Sequence, residues 1–412
     1  MTGASRVALT PLGSAFDLLA AYLAPGGFFF EREGLGVAAP SITSGPLIGP
    51  APDLRTLARM TSETLRGLGD AAVAPIAVGA LPFAAGPASL RVPDRAVSRI
   101  GAGETWLVDL VPALGGAERP AFRPDRVIGD LPHEAFRPVQ LLEEPSSAAY
   151  AEAVAAALER IASGDLDKVV LARTLQVDAG RSLDARRLLH RLRAVEPHCF
   201  TFAAPTASGS LAGASPELLV SRRGARVRSV PLAGTAPRAG DPDEDEANAR
   251  GLAGSSKNRS EHAIVVEAVA EVLDGFCDDL SFDAEPVLKP TANLWHLATR
   301  FEGTLRHPST SALELVAELH PTPAVGGRPR AASLAAIADL ERFDRGAYAG
   351  PVGWVDASGD GEWAIALRCA ELVADRATLY AGAGMVAGSD PADEVDETGR
   401  KFRAFLDSLR WG

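Results

Sequence analysis

From Ser146 onward the chain repeats one rhythm, and that rhythm limits what it can fold into: short runs of alternating hydrophobicity, each closed by turn residues. Period-two runs cover Lys168 to Val177, Cys199 to Ala203, Asn293 to Gly303 and Thr378 to Ala381. Hairpins span Glu217 to Val230, turning at Arg223-Gly224, and Gly353 to Leu372, turning at Gly359-Asp360-Gly361. Between them the spacing predicts helices over Ala148–Ile161, Leu183–Val195, about Ser260–Leu273 and Ser311–Glu318, and a last helix opening at Pro391. An acidic loop at Gly240–Glu246 and a Pro/Gly loop at His320–Arg330 separate some of these. Strands joined by tight turns pair antiparallel, so the pattern predicts an α+β fold with large antiparallel sheets rather than parallel βαβ units. Residues 1 to about 144 carry more Pro and Gly, with strand-like runs at Gly27–Phe30 and Trp106–Val111 and an amphipathic helix around Leu18–Leu23.

Apolar residues make up 47% of the chain and charged residues 23%, which excludes a disordered tail or a coiled coil. The net charge of −12 argues against a broad nucleic-acid or anionic-membrane footprint. No stretch approaches the roughly 18 apolar residues of a membrane span, and the N-terminus lacks the pattern of a signal peptide. Three widely spaced cysteines, Cys199, Cys277 and Cys369, fit neither a disulfide scaffold nor a zinc site, so a reducing cytoplasm is expected. Of 41 basic residues only four are lysine: Lys168, Lys257, Lys289 and Lys401. A position that keeps lysine in so arginine-rich a chain needs a compact ammonium, or an amine that can become a base.

Several groups could carry chemistry. Glu261 extends the apolar stripe of its helix, where a carboxylate needs a partner such as a metal ion, although an acid near a helix N-terminus is common. In the last helix Glu394, Glu397 and Lys401 form one strip at i, i+3, i+7; this is either a surface ion pair or part of a carboxylate-rich Mg²⁺ site beside a cation for an anionic ligand. Alternation along Glu362–Leu372 places Arg368 among alanines, which leaves room for a packing helix or for a carboxylate held bidentately. The Gly-rich stretch Gly382–Gly388, read as a loop ending at a helix N-terminus, could add N–H donors for the same anion. Lys168 opens its strand. Glu217 follows Ser215-Pro216 but precedes a strand, so helix capping explains it poorly, and His296 is a polar side chain in an apolar strand.

Together these segments resemble the chorismate-utilising enzymes, a family that includes isochorismate synthase, salicylate synthase, anthranilate synthase component I and aminodeoxychorismate synthase. The motifs run in order over residues 145 to 412: Asp167-Lys168-Val169-Val170-Leu171-Ala172-Arg173, Ser215-Pro216-Glu217, Pro231-Leu232-Ala233-Gly234-Thr235, Lys257 to His262, His320-Pro321-Thr322-Pro323-Ala324, Asp344 to Gly353, and Glu394-x-x-Glu397-x-x-x-Lys401. One departure is Ser256, where an acidic residue is common. The resemblance implies one large α+β domain of two packed, mainly antiparallel sheets with helices outside. Residues 1–144 would be a variable part of the same body and 145–412 the chorismate-binding catalytic core.

The resemblance also implies roles. Lys168 matches the base that activates water, where ammonia-using members carry Gln. Glu217 matches the acid that protonates the departing C4 hydroxyl, and His296 a further active-site residue. Glu261 and Glu397, with Glu394, match Mg²⁺ ligands. Arg368 and Lys401 match a clamp on the substrate carboxylates, with Gly234, Thr235, Ala324 and Gly382 lining the substrate. Ala233 stands where aminodeoxychorismate synthases carry a nucleophilic lysine, and Ala324 where salicylate synthases carry Thr. Isochorismate synthase is therefore expected, ahead of menaquinone or siderophore assembly. Salicylate synthase and a non-catalytic chorismate-binding subunit are the alternatives. A monomer is expected, with no glutamine amidotransferase subunit and no nucleic-acid or membrane partner.

Overall fold

The computed structural model describes residues 6–43, 45–68, 75–100, 104–111, 122 and 138–409. Within them the chain builds a twelve-stranded, a nine-stranded and a three-stranded sheet, and every strand pair is antiparallel. The α+β architecture read from the sequence is the one observed.

The large sheet starts with strands from the first 111 residues and continues through Phe200–Pro205, Ser210–Ser215, Cys369–Val373 and Arg376–Met385 to the strand Lys168–Asp178. That lysine strand is buried along nearly its whole length. Its Val-Val-Leu-Ala run follows from this, because burial on both faces removes the need for a polar alternate. It pairs residue for residue with Arg376–Met385, from Val169 opposite Met385 to Asp178 opposite Arg376. The nine-stranded sheet carries Trp354 and Trp363, both fully buried. The period of two sorts side chains between two cores: Phe28 and Phe30 join Trp354 and Trp363 in the larger one, while Phe29 points the other way, to Leu188, Phe402 and Phe405 of the covering helices. The three-stranded sheet, Leu232–Pro237, Leu294–Ala298 and Val287–Pro290, stands apart and forms one side of the cavity described below.

Some expected elements differ. Asn293–Gly303 is two strands in two sheets, Leu294–Ala298 and Phe301–Thr304. Glu362–Leu372 likewise splits into Gly361–Ile365 in the nine-stranded sheet and Cys369–Val373 in the twelve-stranded one. The acidic loop is the first turn of a helix, Pro242–Gly254: Asp241 accepts from the Asp243 and Glu244 N–H groups, Pro242 occupies the first turn, and the acids complement the helix dipole. Arg330–Leu340 adds a helix after the Pro/Gly loop, and the N-terminal apolar stretch forms only a 3-10 turn, Leu18–Ala21.

Candidate active site

Two helices and the lysine strand build one wall of a cavity that Glu217, His296 and Arg368 also line. The helix Ser256–Asp274, capped by Ser255, presents Glu261; the helix Pro391–Leu409 presents Glu394, Glu397 and Lys401. Arg173 holds the second helix against the lysine strand by donating to Thr398 Oγ1 and to the Val395 carbonyl, between the two glutamates. Each carboxylate on this wall meets its own lysine. Lys168 Nζ lies 3.0 Å from Glu261 Oε1, Lys257 Nζ 2.8 Å from Glu394 Oε1, and Lys401 Nζ 2.6 Å from Glu397 Oε1.

Lys168 has no exposed side-chain surface, and among the described residues no acceptor meets its ammonium in hydrogen-bond geometry; the contact with Glu261 is an ion pair off the hydrogen-bond line. Gly384, on the facing strand, makes room for that pair. A Cβ there would lie 2.4 Å from Glu261 Oε1 and 3.1 Å from Lys168 Cε. Burial, then the neighbouring Glu397, pushes the Glu394 carboxyl up from its ordinary value against the pull of Lys257. For Glu397 burial also pushes upward, but the attraction and hydrogen bond of Lys401 outweigh it and hold the carboxyl below the usual range. Among the described residues no three His, Cys, Asp or Glu side chains converge into a preformed metal cage. Glu261, Glu394 and Glu397 stand as three separate oxygen donors.

The opposite wall carries Glu217, His296 and Arg368. Glu217 sits between the strands Ser210–Ser215 and Leu218–Arg223, not at a helix start, and is 2% exposed. Burial raises its carboxyl to about 7 against the lowering effects of the Leu232 N–H, Lys168 and Lys289. His296 is held well below its ordinary value by burial and then by Arg368, Lys401 and Lys289, so the ring is neutral. Its Nε2 accepts from Arg368 Nη2 at 3.1 Å, while the ring also hydrogen-bonds to the Gly234 backbone; a neutral ring donates from one nitrogen and accepts at the other. Gly234 has φ +78°, which takes it through a bulge in the pairing between Ala233 and Thr235.

Arg368 does not sit on a continuous strand as alternation predicted. It lies at the crossing between sheets, with φ +48°, a left-handed conformation that costs a non-glycine residue energy. The Gly382–Gly388 stretch is also not the expected anion loop. Its first residues complete the strand Arg376–Met385, and the N–H groups of the following helix are taken by Asp390, which accepts from Ala392 and Asp393.

Of the residues singled out by the sequence, Glu217, Glu261, His296, Arg368, Glu397, Lys401, Gly234, Thr235, Ala324 and Gly382 all line the cavity. Lys168 and Glu394 do not reach its surface. Lys168 lies behind Glu261 and Gly384. Three groups to which the sequence assigned no role also matter. Arg345 donates to the Val170 and Val325 carbonyls and pairs with Glu341, whose Oε1 accepts the Ala172 N–H, so the loop bearing Ala324 is tied to the lysine strand. Tyr348, another lining residue, stacks on Tyr380 at 4.9 Å. Lys289 donates to the Pro216 carbonyl at 2.7 Å, next to Glu217. The Asp344–Gly353 motif contained Arg345 and Tyr348; for Lys289 the one signal was the scarcity of lysine.

The cavity thus sets a carboxyl raised to about 7 and a neutral imidazole on one side against lysine–carboxylate pairs on the other, with Arg368 and Lys401 both on its lining. Comparison with known proteins agrees in kind. Residues 129–410 match the family described as "Chorismate binding enzyme". The putative isochorismate synthase MenF of Mycobacterium tuberculosis (strain H37Rv) is 45% identical over 348 residues, covering 82% of this chain and 87% of that protein. The isochorismate synthase DhbC of Bacillus subtilis (strain 168) is 46% identical over 272 residues, 64% of this chain and 68% of that one. Among solved structures, the putative 2,3-dihydroxybenzoate-specific isochorismate synthase DhbC of Bacillus anthracis superposes with a TM-score of 0.81 at 36% identity, covering 96% of this chain and 99% of the other.

Proposed function

The chain belongs to the chorismate-binding enzyme family, and from that premise we propose that it is an isochorismate synthase, converting chorismate to isochorismate by adding water at C2 as the C4 hydroxyl leaves. The observation that carries this reading is the single cavity that holds Glu217 opposite Glu261, Glu397 and Lys401, with Arg368 and His296 beside it. Atoms balance: water gives up a proton to the Lys168 amine through Glu261, the member of that pair that lines the cavity, and its oxygen bonds to C2, the ring double bonds shift, and the C4–O bond breaks as Glu217 delivers a proton to that oxygen. Glu217 suits an acid at neutral pH because burial holds its carboxyl at about 7, near the operating range where a proton donor is most effective. Arg368 and Lys401 hold the substrate carboxylates, and Lys401 is itself fixed by the Gly382 carbonyl at 2.8 Å. Neutral His296 orients Arg368 through its Nε2.

The carboxylate wall fits a divalent cation of the Mg²⁺ class. Its donors are hard oxygens, and each already draws a cation to itself in the form of a lysine. Glu261 and Glu397, with Glu394 behind them, would hold the ion. Few protein ligands suffice, since Mg²⁺ keeps waters and takes oxygens from an anionic substrate. When bound, the ion supplies positive charge that neutralises a substrate carboxylate against an acidic wall.

Ala324 on the cavity wall is the residue behind release of isochorismate without pyruvate loss. No glutamine amidotransferase subunit is required when water is the nucleophile. No helix among the described residues is long and apolar enough to cross a membrane. The test is to incubate the purified protein with chorismate and Mg²⁺ and resolve products by chromatography. Isochorismate is expected. Salicylate with pyruvate as the main product would overturn the subgroup, and anthranilate formed with ammonium would overturn the role of Lys168.

A further inference from the structure

We infer that Lys289 is a positioning residue for Glu217: its ammonium fixes the peptide plane that carries the acid and places a positive charge close to the carboxyl group. The inference rests on the proposed role of Glu217 but on separate observations. In the three-stranded sheet Lys289 lies directly across from His296, and His296 directly across from Thr235. Residues directly opposite in neighbouring strands project from the same face. Lys289 therefore belongs to one row with two side chains that line the cavity. From there Nζ donates to the Pro216 carbonyl at 2.7 Å.

That carbonyl belongs to the peptide group whose nitrogen is Glu217 N. The other end of the same plane is held as well, because the Glu217 N–H donates to Ser215 Oγ at 3.3 Å. The next plane is fixed by the Ile365 N–H on the Glu217 carbonyl. With both planes held, the acid's Cα cannot rotate about the strand junction. Pro216 offers no N–H of its own, and a buried carbonyl left unpaired is costly. Lysine suits the position: it reaches the carbonyl with a point charge and leaves further N–H donors, whereas the fork of arginine is broader.

The charged groups acting on the Glu217 carboxyl are Lys168, from the lysine strand, and Lys289, and the Leu232 N–H from the third strand of the wall also lowers it. Arg368 and His296 share the cavity. Removing one of two cations raises the carboxyl's midpoint, so the acid keeps its proton to higher pH.

The test compares Lys289→Met and Lys289→Arg with the unmodified protein by two readouts: kcat and KM for chorismate across pH, and ¹³C-detected NMR titration of the Glu217 carboxyl, which needs no turnover. In Lys289→Met, kcat should fall about tenfold with KM nearly unchanged, while the Glu217 midpoint and the alkaline limb of the profile move up by about half a pH unit. Lys289→Arg keeps the charge and should return the midpoint while restoring part of kcat, since its broader fork holds the Pro216 carbonyl less well. An unmoved Glu217 titration in Lys289→Met, or a kcat loss that the arginine variant leaves uncorrected at an unchanged midpoint, would make Lys289 an ordinary strand lysine. If the unmodified protein makes no isochorismate, the functional reading falls, and the NMR titration alone still decides the link between Lys289 and Glu217.

Discussion

The helical wall of the cavity and its sheet wall both bury ionisable groups, Glu394 as deeply as Glu217 and Glu261 and Glu397 less so, and leave them in different states. On the helical wall Glu261, Glu394 and Glu397 each touch a lysine. On the sheet wall Glu217 has no ion-pair partner among the described residues, and His296 has the donated N–H of Arg368 and a bond to the Gly234 backbone. In a medium of low polarity an isolated charge is expensive and a contacting pair much less so. Glu217 accordingly drifts up to about 7 and His296 stays neutral, whereas Lys401 holds Glu397 below the usual carboxylate range. Contact with a cation, together with a little more exposure at Glu397, separates the carboxylate proposed as a metal ligand from the one proposed as a proton donor. Glu394 marks the boundary, since burial and Glu397 push it up in spite of Lys257.

The largest test of this contrast removes one group from each wall. Glu217→Gln and Lys168→Gln should each cost about 10²–10⁴ in turnover, the range for a lost proton-transfer group, measured by isochorismate formation. Their stabilities should diverge. Glu217 has a raised folded-state value, so its stabilisation is complete below its ordinary 4.5 and is lost as pH climbs through about 7. At pH 8 the native carboxylate is a burden of up to about 3 kcal/mol, and Glu217→Gln should melt at the same temperature as the unmodified protein or higher. Lys168→Gln leaves Glu261 without its partner and should lower stability by roughly 2 kcal/mol. Equal melting shifts in the two variants would erase the distinction between the walls.

Next in size is the cation dependence. Glu397→Gln should raise the Mg²⁺ concentration for half-maximal activity on the order of tenfold or more, and chelation should abolish activity in the unmodified protein, reversibly on adding Mg²⁺. Activity that survives exhaustive chelation would detach the helical wall from metal binding. Smaller again is the pH effect: kcat should hold below about 7, where Glu217 is protonated, and decline above it as the acid loses its proton. A profile that keeps rising past pH 8 would place the proton donor elsewhere.

What the sequence made legible follows the range of the physics. Local signals succeeded: the lysine strand, the helix expected from Ser311 and the opening of the last helix at Pro391 all lie where spacing put them. The strip Glu394, Glu397, Lys401 was readable because helical periodicity alone creates it. Signals that depend on partners failed. Arg368 was assigned a face by alternation, but the chain changes sheets at that residue and alternation does not survive the crossing. Lys289 carried no local signal, because its meaning comes from lying across from His296 and reaching a carbonyl 73 positions earlier in the chain. Lys168 was singled out, yet nothing local could show that Glu261 and Gly384 stand between it and the cavity.

The smallest expected effect concerns what happens after isochorismate forms. Ala324 lines the cavity on a loop tied down through the Arg345 bond to Val325, so a substitution there changes the wall without freeing the loop. Replacing it with threonine puts a hydroxyl where the alanine side chain offers the product no hydrogen bond. A hydroxyl there can hold the product longer or guide the enolpyruvyl side chain toward elimination; neither alters the groups on the two walls. Ala324→Thr should therefore keep the chorismate conversion rate within a few-fold while a minor share of product appears as salicylate and pyruvate, resolved by chromatography. If the rate collapses with no pyruvate formed, the loop belongs to the machinery of hydroxyl transfer, and the choice of product must be sought on the sheet wall, at His296.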